Sequence, residues 1–202
     1  MKKQLIVILF IAFVTTISMS SCNETIDFVE EIAPPDNASI SGSLAGKINH
    51  DKLDMSDKAS CTFDRFPWTV AKFKELQSQV STEPQGAVTM VLIAMEIFRK
   101  YPVIGEKCLY LTTTENEHDP NNPGRMSKDR IMHRLNELLR GNDNYYIRPY
   151  QVAAYLKGAH QQNGYIPDKP YTVEVEIMNF PYEYNSKMDA KFIQYYVLTG
   201  GK

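Results

Sequence analysis

The stretch PQGAVTMVLIAMEIFRK, Pro84 to Lys100, decides the fold. Ala87, Val88, Met90, Val91, Leu92, Ile93, Ala94, Met95, Ile97 and Phe98 fall on nearly every side of a helical wheel. A helix that is apolar all round belongs at the centre of a domain, with other elements packed on every side of it. Seventeen residues with polar flanks are too few to cross a bilayer. Ser81-Thr82-Glu83-Pro84 reads as a hydroxyl cap followed by proline in the first turn, and Pro102 and Gly105 end the run.

Upstream, Phe63-Asp64-Arg65-Phe66-Pro67-Trp68-Thr69 opens the folded part. Val70, Phe73, Leu76 and Val80 then recur at helical spacing, which predicts an amphipathic helix over about 68–80. Downstream, a short helix is expected within 106–113. Residues 114–125 form a polar loop. Ser127 caps a helix over about 127–140, with Ile131, Leu135, Leu138 and Leu139 on one face and Gly141 at its end. Pro149 opens a further helix over about 149–157. The period then changes to two. Tyr171, Val173, Val175 and Ile177 alternate with Thr172, Glu174 and Glu176, which predicts a half-buried strand over about 171–178. A second strand, about 191–198, is expected to pair with it. Helices first and strands last give an α+β class, four helices on a small C-terminal antiparallel sheet.

The N-terminus reads as an address. Lys2-Lys3 precede the apolar run Leu5–Ile17, whose 13 residues suit the core of a secretory signal. Met19-Ser20-Ser21-Cys22 resembles the lipobox of bacterial lipoprotein signals. That resemblance implies cleavage before Cys22, a thioether lipid on its sulfur and acylation of the new amino group. Two acyl signals make an anchor stable where one is reversible. Asn23 to Gly46 carries Glu24, Asp27, Glu30, Glu31 and Asp36 and no Lys or Arg. It resembles the acidic export signal of surface lipoproteins, which implies an outer-membrane lipoprotein, with the cell surface favoured over the periplasm. Three segments are therefore expected: a signal at 1–21, an acidic flexible tether at 22–58 and one α+β domain at 59–202. The small, turn-rich run from Asn37 to Gly46 supports the tether. Gly42 to Lys47 is one residue short of a phosphate loop and has Ile48 where Ser or Thr would stand.

The Phe66-Pro67-Trp68 entry, the apolar helix and the Tyr171–Gly201 strand region are similar to a family of secreted lipoprotein domains of unknown function. The resemblance covers about 60–202. It implies an α+β domain and a further aromatic strand beyond Gly200-Gly201, so the chain is expected to be short at its C-terminus.

Charge narrows the partners. The chain has 22 basic and 24 acidic residues, a net of −2, and loss of Lys2 and Lys3 takes this to −4. A weakly acidic domain does not suit nucleic acid, which needs a basic face. The expected membrane partner is reached through the lipid on Cys22. Cys61 and Cys108 remain as a candidate disulfide, which would close a 47-residue loop worth roughly 4 kcal/mol; the alternative is two buried thiols. There is no CxxC, no HExxH and no nucleophile elbow, so no catalytic residue, metal ligand or cofactor is assigned. His133 and Glu137 share a helix face as a solvated pair, and Glu174 and Glu176 lie on the solvent side of a strand. The 115–122 loop concentrates oxygen ligands without the EF-hand order and is taken as a polar connector. Ten of the 12 tyrosines fall between Tyr145 and Tyr196. Tyr145, Tyr146, Tyr182 and Tyr184, in expected loops, are the candidate binding surface, since Tyr joins a flat apolar body to a polar tip. Together these point to a non-enzymatic binding or accessory lipoprotein with a protein or glycan partner. The alternatives are an envelope hydrolase acting on glycan or peptide, with a pocket near residues 114–130, and a structural or truncated remnant.

Overall fold

A computed structural model describes residues 35–49, 56–141, 151–177, 183–185, 190–192 and 195–197. The predicted central helix is present as α2, Pro84–Lys100. Within it only Ala87 and Lys100 are exposed, and Met90, Ile93, Ala94, Ile97 and Phe98 are almost wholly buried. It packs against α1 (Val70–Val80), α3 (Pro102–Tyr110), α4 (His133–Arg140) and the two central strands, β2 (Lys58–Phe63) and β3 (Tyr171–Ile177). In α1, Thr69 caps the first turn by accepting from the Lys72 amide at 3.2 Å, and Phe73, Leu76 and Val80 face inward. The cap expected for α2 differs. Glu83 stands at that position without a side-chain hydrogen bond, and Pro84 alone organises the start.

The fold is α+β, but the sheet is not only C-terminal. Four antiparallel strands lie in the order β1-β2-β3-β6, with β1 at Gly42–Gly46 and β6 at Tyr195–Val197. Ala59, Cys61 and Phe63 of β2 sit opposite Val175, Val173 and Tyr171 of β3. Except for half-buried Tyr171, all are buried on the side of the sheet that α2 covers. The other side is polar. There Lys58 pairs with Glu176, Thr62 meets Thr172 at 3.1 Å, and Lys157 reaches Glu174 at 2.9 Å. The two glutamates on the solvent side of β3 are thus each held by a lysine.

The tether expected over 22–58 therefore ends earlier than its composition suggests. Ile40 and Ile48 are buried, and β1 pairs along its whole length with β2. The small residues reflect close approach, not looseness. A side chain at Gly42 would come within 2.6 Å of both Leu76 and Val80 on α1. Residues 36–41 form a strap against the domain. Arg65 pairs with Asp36 and donates to the carbonyls of Ala38 and Ser39, and Asp36 also accepts from the Trp68 amide at 3.2 Å. Gln79 on α1 accepts from the Gly42 amide at 2.9 Å and donates to Ile40 O at 3.1 Å. Side chains of α1 thus occupy part of the edge of β1 that an incoming strand would need.

Three further expectations shift. The 127–140 helix is a π turn, Lys128–Met132, running into α4. Ser127 stands at its start without a side-chain cap bond, and Gly141 ends α4 with φ +85 as expected. The 149–157 helix shrinks, among described residues, to a 3-10 turn at Val152–Tyr155, too short to bury a helical stripe. The 191–198 strand is divided. β5 (Ala190–Phe192) pairs with β4 (Glu183–Asn185), and β6 pairs with β3 through Val175, Glu176 and Ile177.

Two results test this packing. First, a chain beginning at Arg65 is expected to lose cooperative thermal unfolding, because β1, β2 and Ile40 complete the core, whereas a chain beginning at Pro35 keeps it; circular dichroism melts distinguish the two. Second, Gly105 lies against the Phe98 backbone, where α3 turns back on α2, and a Cβ there has no room. An unhindered helical Gly→Ala would gain about 1 kcal/mol. Gly105→Ala is instead expected to cost about 3 kcal/mol or more and to lower Tm by roughly 10 °C.

Candidate functional site

A cleft of about 520 Å³ opens on the loop after α3. Glu115, Asn116, His118, Asp119, Asn121 and Lys128 supply most of its polar wall, with Pro120 and Ser127 beside them. The loop was expected as a plain polar connector. It is a folded lobe. Glu115–Glu117 form a 3-10 turn, and His118 bridges Met126 across an antiparallel pair. Asp119 N donates to Arg125 O at 2.9 Å and Ser127 N to Glu117 O at 2.8 Å, closing both sides of that bridge. Gly124, at φ +86, turns the chain between them.

What fixes the lobe is a buried acid. Glu106 of α3 is 4% exposed, and its Oε1 accepts from Arg125 Nε at 2.8 Å and from the Met126 amide at 3.1 Å. Met126 is itself fully buried, so the lobe is plugged into the core through one side chain. His118 stacks on Tyr110 with ring centroids 3.8 Å apart, and its Nε2 lies 3.2 Å from the Thr113 hydroxyl. Asp119 accepts from Asn122 Nδ2 at 2.7 Å and from the Asn121 amide at 2.8 Å. These donors hold its carboxyl below the usual carboxylate range, the Asn122 side chain contributing most. Asp119 is thereby a fixed acceptor at neutral pH. Among the described residues no group of three His, Cys, Asp or Glu is placed to hold a metal ion.

The residues singled out from sequence are distributed differently. Tyr145, Tyr146, Tyr182 and Cys22 lie outside the described residues. Tyr184 is in β4, opposite Lys191 in the register. Tyr171 is half-buried in an aromatic cluster with Phe63 and Phe66, and Trp68 stacks on Phe66 at 5.3 Å. His133 and Glu137 stand 3.7 Å apart with the His133 side chain in solvent. Cys61 and Cys108 are two buried free thiols, one on β2 and one on α3. Burial raises both thiol pKa values, that of Cys108 to about 12, and at Cys61 a hydrogen bond from Thr89 opposes the rise. Sequence reasoning passed over Glu106, Tyr110 and Lys128. The signal available was an acid on the apolar side of Pro102–Leu111, a segment whose other charged residue is Lys107.

Glu106→Ala is expected to leave the Met126 amide buried without its acceptor. The cost is about 2 kcal/mol, read by denaturant unfolding, with faster hydrogen exchange concentrated at 117–127. In the native protein, Cys61 and Cys108 are expected to resist a thiol reagent at pH 8 and to react together only on unfolding. Burial excludes the reagent, and the raised pKa values keep both protonated at that pH.

A family model with the description Domain of unknown function (DUF6935) matches residues 65–202. No curated protein and no solved structure matches the chain.

Proposed function

The chain belongs to that family of domains of unknown function, and from its own residues we propose that it is a lipid-anchored envelope lipoprotein with a binding or accessory role. The anchor is Cys22, supported by Lys2-Lys3, the Leu5–Ile17 run and Ser20-Ser21 before the cysteine. The acidic residues after Cys22 favour display at the cell surface. Cys22 to Pro35 is 14 residues, which at full extension reach at most about 50 Å. The strap begins at Asp36, so this is the upper limit on the separation of Cys22 from the folded unit.

The observation that carries a binding role is the cleft on the 115–128 lobe. It is concave and polar, and it is held from the core by Glu106. Asn121 and Asn122 fix the Asp119 carboxylate as a hydrogen-bond acceptor on the cleft wall, which suits it to recognising donors on a ligand.

Cells fed an alkyne-bearing palmitate should label this chain, and Cys22→Ala should abolish the label. Protease added to intact cells should remove the folded domain. A chain that stays unlabelled refutes the anchor; a labelled chain that resists protease places the domain on the periplasmic side.

A further inference from the structure

The geometry points to an uncharged, hydroxyl-rich ligand for the 115–128 cleft, a short oligosaccharide held by Glu115, Asp119, Asn121 and Lys128. This rests on reading the cleft as a docking site and adds the chemistry of what docks.

Ligand pockets of this size, about 300–1,000 Å³, are mostly lined by apolar side chains. This one is lined by carboxylates, amides, an imidazole, a hydroxyl and an ammonium together with apolar surface in similar proportion, the Pro120 ring included. A wholly apolar ligand would strip water from the polar groups without replacing its hydrogen bonds, which is costly for each group left unpaired. The ligand must therefore present polar groups beside apolar ones.

The charges exclude the extremes. A polyanion would meet Glu115 and Asp119. A cation would meet Lys128, and no group of three ligating side chains is assembled for a metal among the described residues. What suits a wall of acceptors and donors side by side is a group that does both. A hydroxyl donates to a carboxylate and accepts from an amide or ammonium at the same time.

Asp119 is prepared for this. A carboxylate has about four acceptor positions. The Asn121 amide and Asn122 Nδ2 fill one on each oxygen, the Asn122 amide is also directed at the carboxylate, and together they fix the plane of the group while leaving acceptor capacity for a ligand hydroxyl. Asn121 spends its backbone on Asp119 while lining the same cleft. Because Glu106, Met126 and the Tyr110–His118 stack already order the lobe, little further ordering is needed when a ligand enters. A peptide fits less well. Extended and helical peptides are recognised through a free strand edge or an apolar groove, and acidic ones through clustered arginines, none of which the cleft wall offers.

The test is saturation-transfer NMR on the purified full chain with a panel of neutral disaccharides, and with tri-alanine as the peptide probe. At least one disaccharide should receive saturation. Its apparent Kd should weaken about tenfold or more in Glu115→Gln and in Asn121→Ala, the effect of losing one strong hydrogen bond. Glu176→Gln, on the far face of the sheet, should leave it unchanged. The ligand class is overturned if no disaccharide responds at about 50 mM, weaker than any affinity of use, or if tri-alanine responds in their place. The location is overturned if saturation persists undiminished when Glu115→Gln and Asn121→Ala are combined in one chain. Palmitate labelling and protease shaving read the anchor separately, so a silent sugar panel on a labelled, shaved protein removes the ligand and leaves the lipoprotein.

Discussion

The structure depends on one constraint: α2 is apolar on nearly every side, so most of its surface must be covered, and a stripe through Ala87, Val88, Val91 and Met95 keeps contact with solvent. α1, α3, α4 and the inner face of the sheet share the covering. Burying a large apolar side chain is worth about 1.5–3 kcal/mol. With Met90, Ile93, Ile97 and Phe98 all buried, the helix outweighs any single local preference in the chain. The sheet has to be wide enough to meet it. Among the described side chains β3 offers Val173 and Val175 as buried contacts, and β2 adds Ala59, Cys61 and Phe63. β1, which extends the sheet beside β2, is drawn from a region whose composition resembles a linker. The family match begins at Arg65, after β2, yet Arg65 is the residue that holds the strap in front of β1.

The cleft follows from the same constraint. α3 must double back closely to cover α2, and Gly105 permits that approach at Phe98. The next residue, Glu106, is carried into the interior, where a carboxylate needs partners. It finds them in Arg125 and the Met126 amide, twenty residues on. A charge placed in the core by helix packing thus organises a surface lobe, and the lobe presents Asp119 and its neighbours to solvent. Both the rigidity of the cleft and its polarity trace back to how tightly α3 lies on α2.

Some of this is legible in the residues and some is not, for physical reasons. Long periodic segments announce themselves: α2 and β3 follow directly from a continuous apolar run and from strict alternation, and both appear with nearly the expected bounds. β1 does not, because Gly42-Ser43-Leu44-Ala45-Gly46 is small for the sake of contact with α1, and small residues are also what a mobile linker uses. The helix expected at 149–157 rests on Pro149 and Gly158 as boundary marks, with no apolar stripe long enough to hold a helix between them. The lobe at 115–127 is hidden for another reason. Its organisation depends on Glu106 and Tyr110, which are distant in sequence, and on backbone hydrogen bonds that no side-chain pattern records. Gln85 is a related case: its polarity suggests a surface position in the first turn of α2, whereas it is fully buried, with no partner for its side-chain amide among the described residues.

If α2 and the four-stranded sheet are one cooperative unit, native-state hydrogen exchange measures that directly. The amides of Met90 to Phe98 in α2, of Ala59 to Phe63 in β2 and of Leu44 in β1 that are protected should converge, as denaturant is added, on a single opening free energy. Convergence is the expected result. Protection of α2 with β1 and β2 exchanging at much lower free energy would contradict it, because the strands would then be an appendage on a core that stands without them.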